Sequence, residues 1–162
     1  MSRLDALSIP PSLALGFSFE ESMSGSYHLL DAQLDERAVS FSLRARVAGL
    51  RRFVKDRLAR IEGEVNVEGF ADRAPLTGTL ALKLLDEQRL TYDFEFDAND
   101  GRRYRFHGQK DVTMIDLFDT MTTLPASIYD AAGREVARAV LRFDARANLS
   151  TFVRSWRARL GS

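Results

Sequence analysis

Apolar and polar residues alternate with a period of two over most of this chain. Val39, Phe41, Leu43, Ala45 and Val47 alternate with Ser40, Ser42, Arg44 and Arg46. Successive side chains of a strand point to opposite faces, so this segment has one apolar face and one wet face, as a half-buried antiparallel strand does. The pattern recurs at Ile61, Val65 and Val67 against Glu62, Glu64 and Glu68, and at Leu76, Leu80, Leu82 and Leu84 against Thr77, Thr79 and Lys83. It recurs again at Leu90, Tyr92, Phe94 and Phe96 against Thr91, Asp93, Glu95 and Asp97. Near the start, Leu15, Phe17 and Phe19 alternate, and Met23, Gly25, Tyr27 and Leu29 continue with the same parity. That predicts one long strand, or two strands sharing a bulge or bend near Ser22 to Gly25.

Turn chemistry punctuates the strands. Asp97 to Gly101 (DANDG) carries the residues that tolerate the left-handed backbone of a tight hairpin, and Tyr104 and Phe106 open the return strand with Arg103, Arg105 and His107 on its other face. A second hairpin is predicted where Ile128 precedes the turn from Asp130 to Gly133, with Ala137, Ala139, Leu141 and Phe143 following. Three segments break the alternation. Leu50, Phe53, Val54 and Leu58, then Met114, Leu117, Phe118 and Met121, follow helical spacing and predict short connecting helices. Leu149, Phe152, Val153, Trp156 and Leu160 form a longer stripe, with Asn148 or Ser150 as N-cap and Arg154, Arg157 and Arg159 suited to its C-terminal pole, which predicts a C-terminal helix over 148–160.

About eight strands at regular spacing give an all-β fold, either an antiparallel up-and-down β-barrel (lipocalin-like) or a β-sandwich, since one open sheet of that size would curl or split. The meander from Ile61 to Val112 favours the barrel. Residues 1–14 read as a flexible N-terminal segment and 15–162 as a single antiparallel β domain.

Composition narrows the function classes. At 162 residues and 45% hydrophobic content the chain suits one packed domain, and with no cysteine it has no disulfide, thiolate metal site or cysteine nucleophile. Lys+Arg and Asp+Glu balance at 23 each, which argues against a nucleic-acid partner. The N-terminus, broken by Pro10 and Pro11, does not read as a signal peptide, and no stretch reaches the roughly 20 apolar residues of a membrane helix, so a soluble, cytoplasmic chain with no membrane span is expected.

Chemistry-bearing motifs are sparse. No G-x-S-x-G elbow, Walker-type loop or GxGxxG fingerprint occurs. His28 and His107 are the only histidines, neither at metal-ligand spacing, so no metal and no cofactor are expected. The catalytic candidates are Asp116 and Asp119, which a barrel could place at its mouth as general bases, and His107. Their bland readings are helix capping for the aspartates and a solvent-facing or structural role for the histidine. Tyr27, Tyr92 and Tyr104 are the candidate ligand contacts. Asp93 and Glu95 against Arg103 and Arg105 read as cross-strand ion pairs.

Several segments together carry a resemblance: Phe19 to Gly25 (FEESMSG), Tyr92 to Asp97 (YDFEFD), Asp100-Gly101-Arg102 leading to Gly108-Gln109-Lys110, and Asp116-Leu117-Phe118 with Thr122-Thr123-Leu124. From about Phe17 to Phe152 the chain resembles the accessory β-domain of large bacterial fusion proteins that join a cholesterol-oxidase-like GMC oxidoreductase to an α/β-hydrolase region. It departs from that pattern at Phe118, where the family usually has Trp, at Thr120, where it has an acidic residue, and at Pro125, where a strand residue is usual. The resemblance implies no catalytic residues for this domain, and it implies association with enzymes that handle sterols or other lipids. With no catalytic signature in the chain, the expected function is a non-catalytic binding or accessory module, for an apolar small molecule (lipid or sterol-like) or for docking to a lipid-handling oxidoreductase or hydrolase. The alternative is a small barrel enzyme, isomerase or cyclase-like, using an Asp or His in its cavity.

Overall fold

Each alternating run becomes a strand with its apolar parity turned inward. The computed structural model describes residues 17–47, 57–83, 89–111 and 123–143. They form β1 (Phe17–Leu29), β2 (Ala32–Val47), β3 (Leu58–Val67), β4 (Ala71–Lys83), β5 (Arg89–Asp97), β6 (Arg103–Asp111), β7 (Thr123–Tyr129) and β8 (Glu135–Phe143). Every strand pairs antiparallel with its chain neighbours, and β8 returns to β1 from Met23↔Phe143 to Leu29↔Ala137, closing an eight-stranded barrel. Closure removes both sheet edges and decides for the up-and-down barrel over the sandwich.

The interior is aromatic. Phe94 and Phe106 stack with ring centroids 4.6 Å apart, and Phe41 reaches across from β2 to meet both edge-on at 5.5 and 5.7 Å. Such pairs add about 0.5–1.5 kcal/mol each beyond the area they bury. Phe94 and Phe96 are buried while Glu95 between them is exposed, the register the alternation requires. Outside, charges pair across strands: Arg44 with Glu20, Arg46 with Glu62 at 2.8 Å, Arg103 with Asp97 at 3.0 Å, and Arg105 with Asp93. Exposed pairs of this kind contribute under about 1 kcal/mol apiece. No helix among the described residues is long and apolar enough to cross a membrane.

The two ends of the barrel differ. Residues 30–31, 68–70, 98–102 and 130–134 make short turns at one end. In DANDG the Ala98 N–H donates to the Arg102 carbonyl at 2.8 Å and the Gly101 N–H to the Ala98 carbonyl at 2.9 Å, with Gly101 at φ 82°. Asp130 to Arg134 repeats this pattern. A left-handed glycine in a three-residue loop matches the right-handed twist of the flanking strands. The other end holds the start of β1, the end of β8 and the connections β2–β3, β4–β5 and β6–β7, of which the first and the last are longer.

Tight coiling of the sheet explains Gly78, whose inward position is so close to β5 that an added Cβ would fall on the carbonyl oxygen of Asp93.

Several expectations are corrected. Leu58 belongs to β3, paired with Ala81, and not to a helix. Arg57 just before it has φ 53°, which stops a right-handed helix from running into this strand. Of the two readings of β1, the single long strand is the one observed, with a register shift between Tyr27 and Leu29. Pro125 lies within β7, exposed and paired with Val140, while the β6–β7 ladder runs only from Arg105↔Tyr129 to Gly108↔Ala126. The ladder stops beside the residue with no N–H to give. The remainder of the first helical stripe, the second stripe with Asp116 and Asp119, the C-terminal helix over 148–160 and the segment 1–14 lie outside the described residues.

Candidate functional site

Glu21 shares the parity of Met23 and Tyr27 and therefore points into the barrel, where it is only 7% exposed. It is the buried charged residue among the described residues. The Tyr92 hydroxyl donates to its Oε1 at 2.6 Å. Glu21 is on β1 and Tyr92 on β5, four strands apart in a ring of eight, so this hydrogen bond bridges opposite walls of the lumen.

The surroundings set the chemistry. Glu21 is paired with Leu43 on β2, and Tyr92 lies between Leu80 on β4 and Gly108 on β6. The missing side chain of Gly108 leaves room for Leu124 of β7, whose carbons come within 3.0 Å of where a Cβ would stand. Phe41 packs on Tyr92 with centroids 5.8 Å apart. In this apolar setting burial pushes the Glu21 carboxyl up to about 7, although the Tyr92 hydroxyl and the charge of Lys110 pull it back in part. Burial, and then the neighbouring Glu21 carboxyl, raise Tyr92 well above the ordinary phenol value, so its proton stays in the bridge. Lys110 continues the inward parity of Tyr104 and Phe106 near the end of β6 and is partly exposed. The group as a whole can accept or donate one hydrogen bond at Oε2 and exchange one proton near neutrality.

The other candidate residues are placed differently. The Tyr27 hydroxyl is committed to the Glu68 backbone carbonyl at 2.5 Å, and Tyr104 packs on Phe70 with centroids 4.5 Å apart, so both help close the short-turn end. His107 faces outward, with Nδ1 3.3 Å from Asp93 Oδ2. Burial pushes the Asp93 carboxyl up, but Arg105 and His107 outweigh it and hold it below its ordinary value. Asp93, His107, Ser127, Arg138 and His28 follow one another in a single cross-strand row from β5 to β1. This row brings an aspartate, a histidine and a serine side by side, but the Ser127 hydroxyl donates to Glu135 Oε1 at 2.8 Å, and Arg138 donates to the same carboxylate. Asp93, His107, Ser127 and Arg138 are thus engaged in surface hydrogen bonds and ion pairs. An open groove of about 280 Å³ lies outside the barrel on β1–β4, among Ser24, Ser40, Asn66, Glu68 and Asp72, and has no aromatic wall. No cluster able to hold a metal ion occurs among the described residues.

The site residue that sequence reasoning missed is Glu21. Its signal was present: a carboxylate standing between Phe19 and Met23 on the apolar parity of β1. Lys110 carries the same signal beyond Phe106. Comparisons with protein-family models, curated proteins and solved structures found no match to this chain.

Proposed function

We propose that this barrel is a non-catalytic binding module for an apolar small molecule, lipid or sterol-like, with the Glu21–Tyr92 pair as its polar anchor. The observation that carries this reading is the carboxyl–phenol bridge across a mostly apolar barrel interior. A buried acid contributes less to stability than a well-packed apolar side chain of its size, so its presence inside an aromatic core marks function more than folding. Apolar walls with a few converging polar groups are the usual make-up of a small-molecule site. The accessory role, docking beside a lipid-handling oxidoreductase or hydrolase, belongs to the same proposal, as does a cytoplasmic location.

A second reading is favoured by one feature. A carboxyl group near neutrality against a tyrosine is suited to moving a proton, as an isomerase or cyclase-like barrel requires. In that case Glu21 takes the role first assigned to an Asp or His. Native mass spectrometry of the purified chain followed by lipid extraction tests the primary reading. A co-purifying apolar molecule, released unchanged and rebinding saturably with little dependence on salt, is expected. A chain that neither carries such a molecule nor binds a fluorescent lipid analogue overturns the reading, and release of a chemically altered molecule favours the enzyme.

A further inference from the structure

We propose that the Glu21–Tyr92 bridge makes the lumen a proton-linked site, in which an apolar molecule and a proton are taken up together. The inference rests on the binding reading above and adds to it a regulation by pH.

An apolar molecule seated against the bridge covers the small part of Glu21 that is still exposed, and a carboxylate that loses contact with water without gaining a donor or a cation is penalised. The walls offer little compensation. The inward side chains of β2 from Val39 to Val47, and those of β3, β4, β7 and β8, are apolar. On β5 the Tyr92 hydroxyl is already committed to Oε1. On β6 Tyr104 packs at the far end against Phe70, and Lys110 acts on Glu21 from a partly exposed position toward the other end. On β1 itself the Tyr27 hydroxyl is held by the Glu68 carbonyl. Among the described residues the group left to respond is therefore Glu21, and it responds by taking a proton. Since its carboxyl already stands at about 7, a modest further loss of water moves it across the neutral range.

The test uses the full chain and N-phenyl-1-naphthylamine, an apolar dye that is uncharged over the range needed. Titration calorimetry in two buffers of different ionisation enthalpy reads proton uptake directly, and dye fluorescence reads affinity against pH. The wild type should take up protons on binding, with affinity level below about pH 6 and falling by up to roughly tenfold per pH unit above about pH 7. Glu21→Gln should still bind the dye, with affinity independent of pH and heats independent of buffer. Tyr92→Phe, which removes the hydrogen bond that pulls Glu21 down, should move the falling limb to higher pH, and it keeps the test open where Glu21→Gln does not fold. Wild-type binding that is level in pH and buffer-independent overturns the proton link and leaves the binding reading standing. A pH dependence retained in Glu21→Gln, or a limb unmoved in Tyr92→Phe, also overturns it. No dye binding by the folded wild type overturns both.

Discussion

At the end closed by the short turns, Phe70, Phe96 and Tyr104 pack ring against ring and the Tyr27 hydroxyl is tied to the Glu68 carbonyl. Farther along the lumen the same inward parity carries Glu21, Tyr92 and, near the end of β6, Lys110. Both regions are walled by the same eight strands, so the contrast does not come from the fold. Aromatic filling is what closure of the barrel asks for, because it maximises the apolar area removed from water. A carboxyl group is not, and the chain holds it in place with a tyrosine from the opposite wall. The aromatic residues make the barrel, whereas Glu21 and Tyr92 give its interior a polar group to work with.

The aromatic region should dominate stability. Phe94→Ala removes a ring that stacks on Phe106 and touches Phe41, and should cost about 3–5 kcal/mol in denaturant unfolding, a large share of the roughly 5–15 kcal/mol a domain has. A cost below that of any change at Glu21 would break the comparison.

The next largest effect should be on pH dependence. Burial raises the folded Glu21 carboxyl from 4.5 to about 7, so the folded state holds this proton more tightly than the unfolded chain. The resulting stability is fully present below the unfolded value and is lost as pH rises through the folded one, a loss on the order of 3 kcal/mol between about pH 4.5 and pH 8. Asp93, Asp130 and Glu135 are held below their ordinary values and act in the other direction, at lower pH, where protonation removes their contribution. Melting midpoints of wild type and Glu21→Gln should therefore diverge across this window, with the wild type the one that falls. Parallel curves would show that the carboxyl is not desolvated.

Smaller still, Tyr92→Phe leaves the buried acid without its donor and should cost about 1–3 kcal/mol at neutral pH. Replacing both partners, Glu21→Leu with Tyr92→Phe, should be neutral or stabilising there, because no polar group then remains unpaired. A double variant less stable than either single one would mean that the bridge is structural after all. The smallest effect belongs to the outer row, where His107→Ala should change stability by less than about 1 kcal/mol, since His107 and Asp93 are both partly exposed.

Much of this was readable from residue order. Alternation identified the strands from Val39 to Val47, Ile61 to Val67 and Leu90 to Phe96 and the described part, to Lys83, of the run from Leu76 to Leu84, and turn chemistry located the hairpins at DANDG and at Asp130 to Gly133. These are local properties: a two-residue period and a left-handed glycine need no distant partner. β7 was harder to see, because it is short, carries Pro125 and borrows its definition from pairing with β8. Leu58 was misassigned because helical spacing over four apolar residues also fits a segment that ends at the start of a strand. Tyr27, Tyr92 and Tyr104 are all inward, as their parity requires, yet residue order could not separate the bridging tyrosine from the two packed at the other end.

Residue order alone settles which face of an alternating strand is buried, and with it the inward position of Glu21, since parity within a strand is set by the backbone. Which inward residues meet depends on the closed barrel as a whole. Glu21 and Tyr92 are 71 residues apart, and they face each other because β8 closes on β1 with a register that sets β1 opposite β5. Ring closure and strand stagger belong to the whole sheet, and no single strand encodes them.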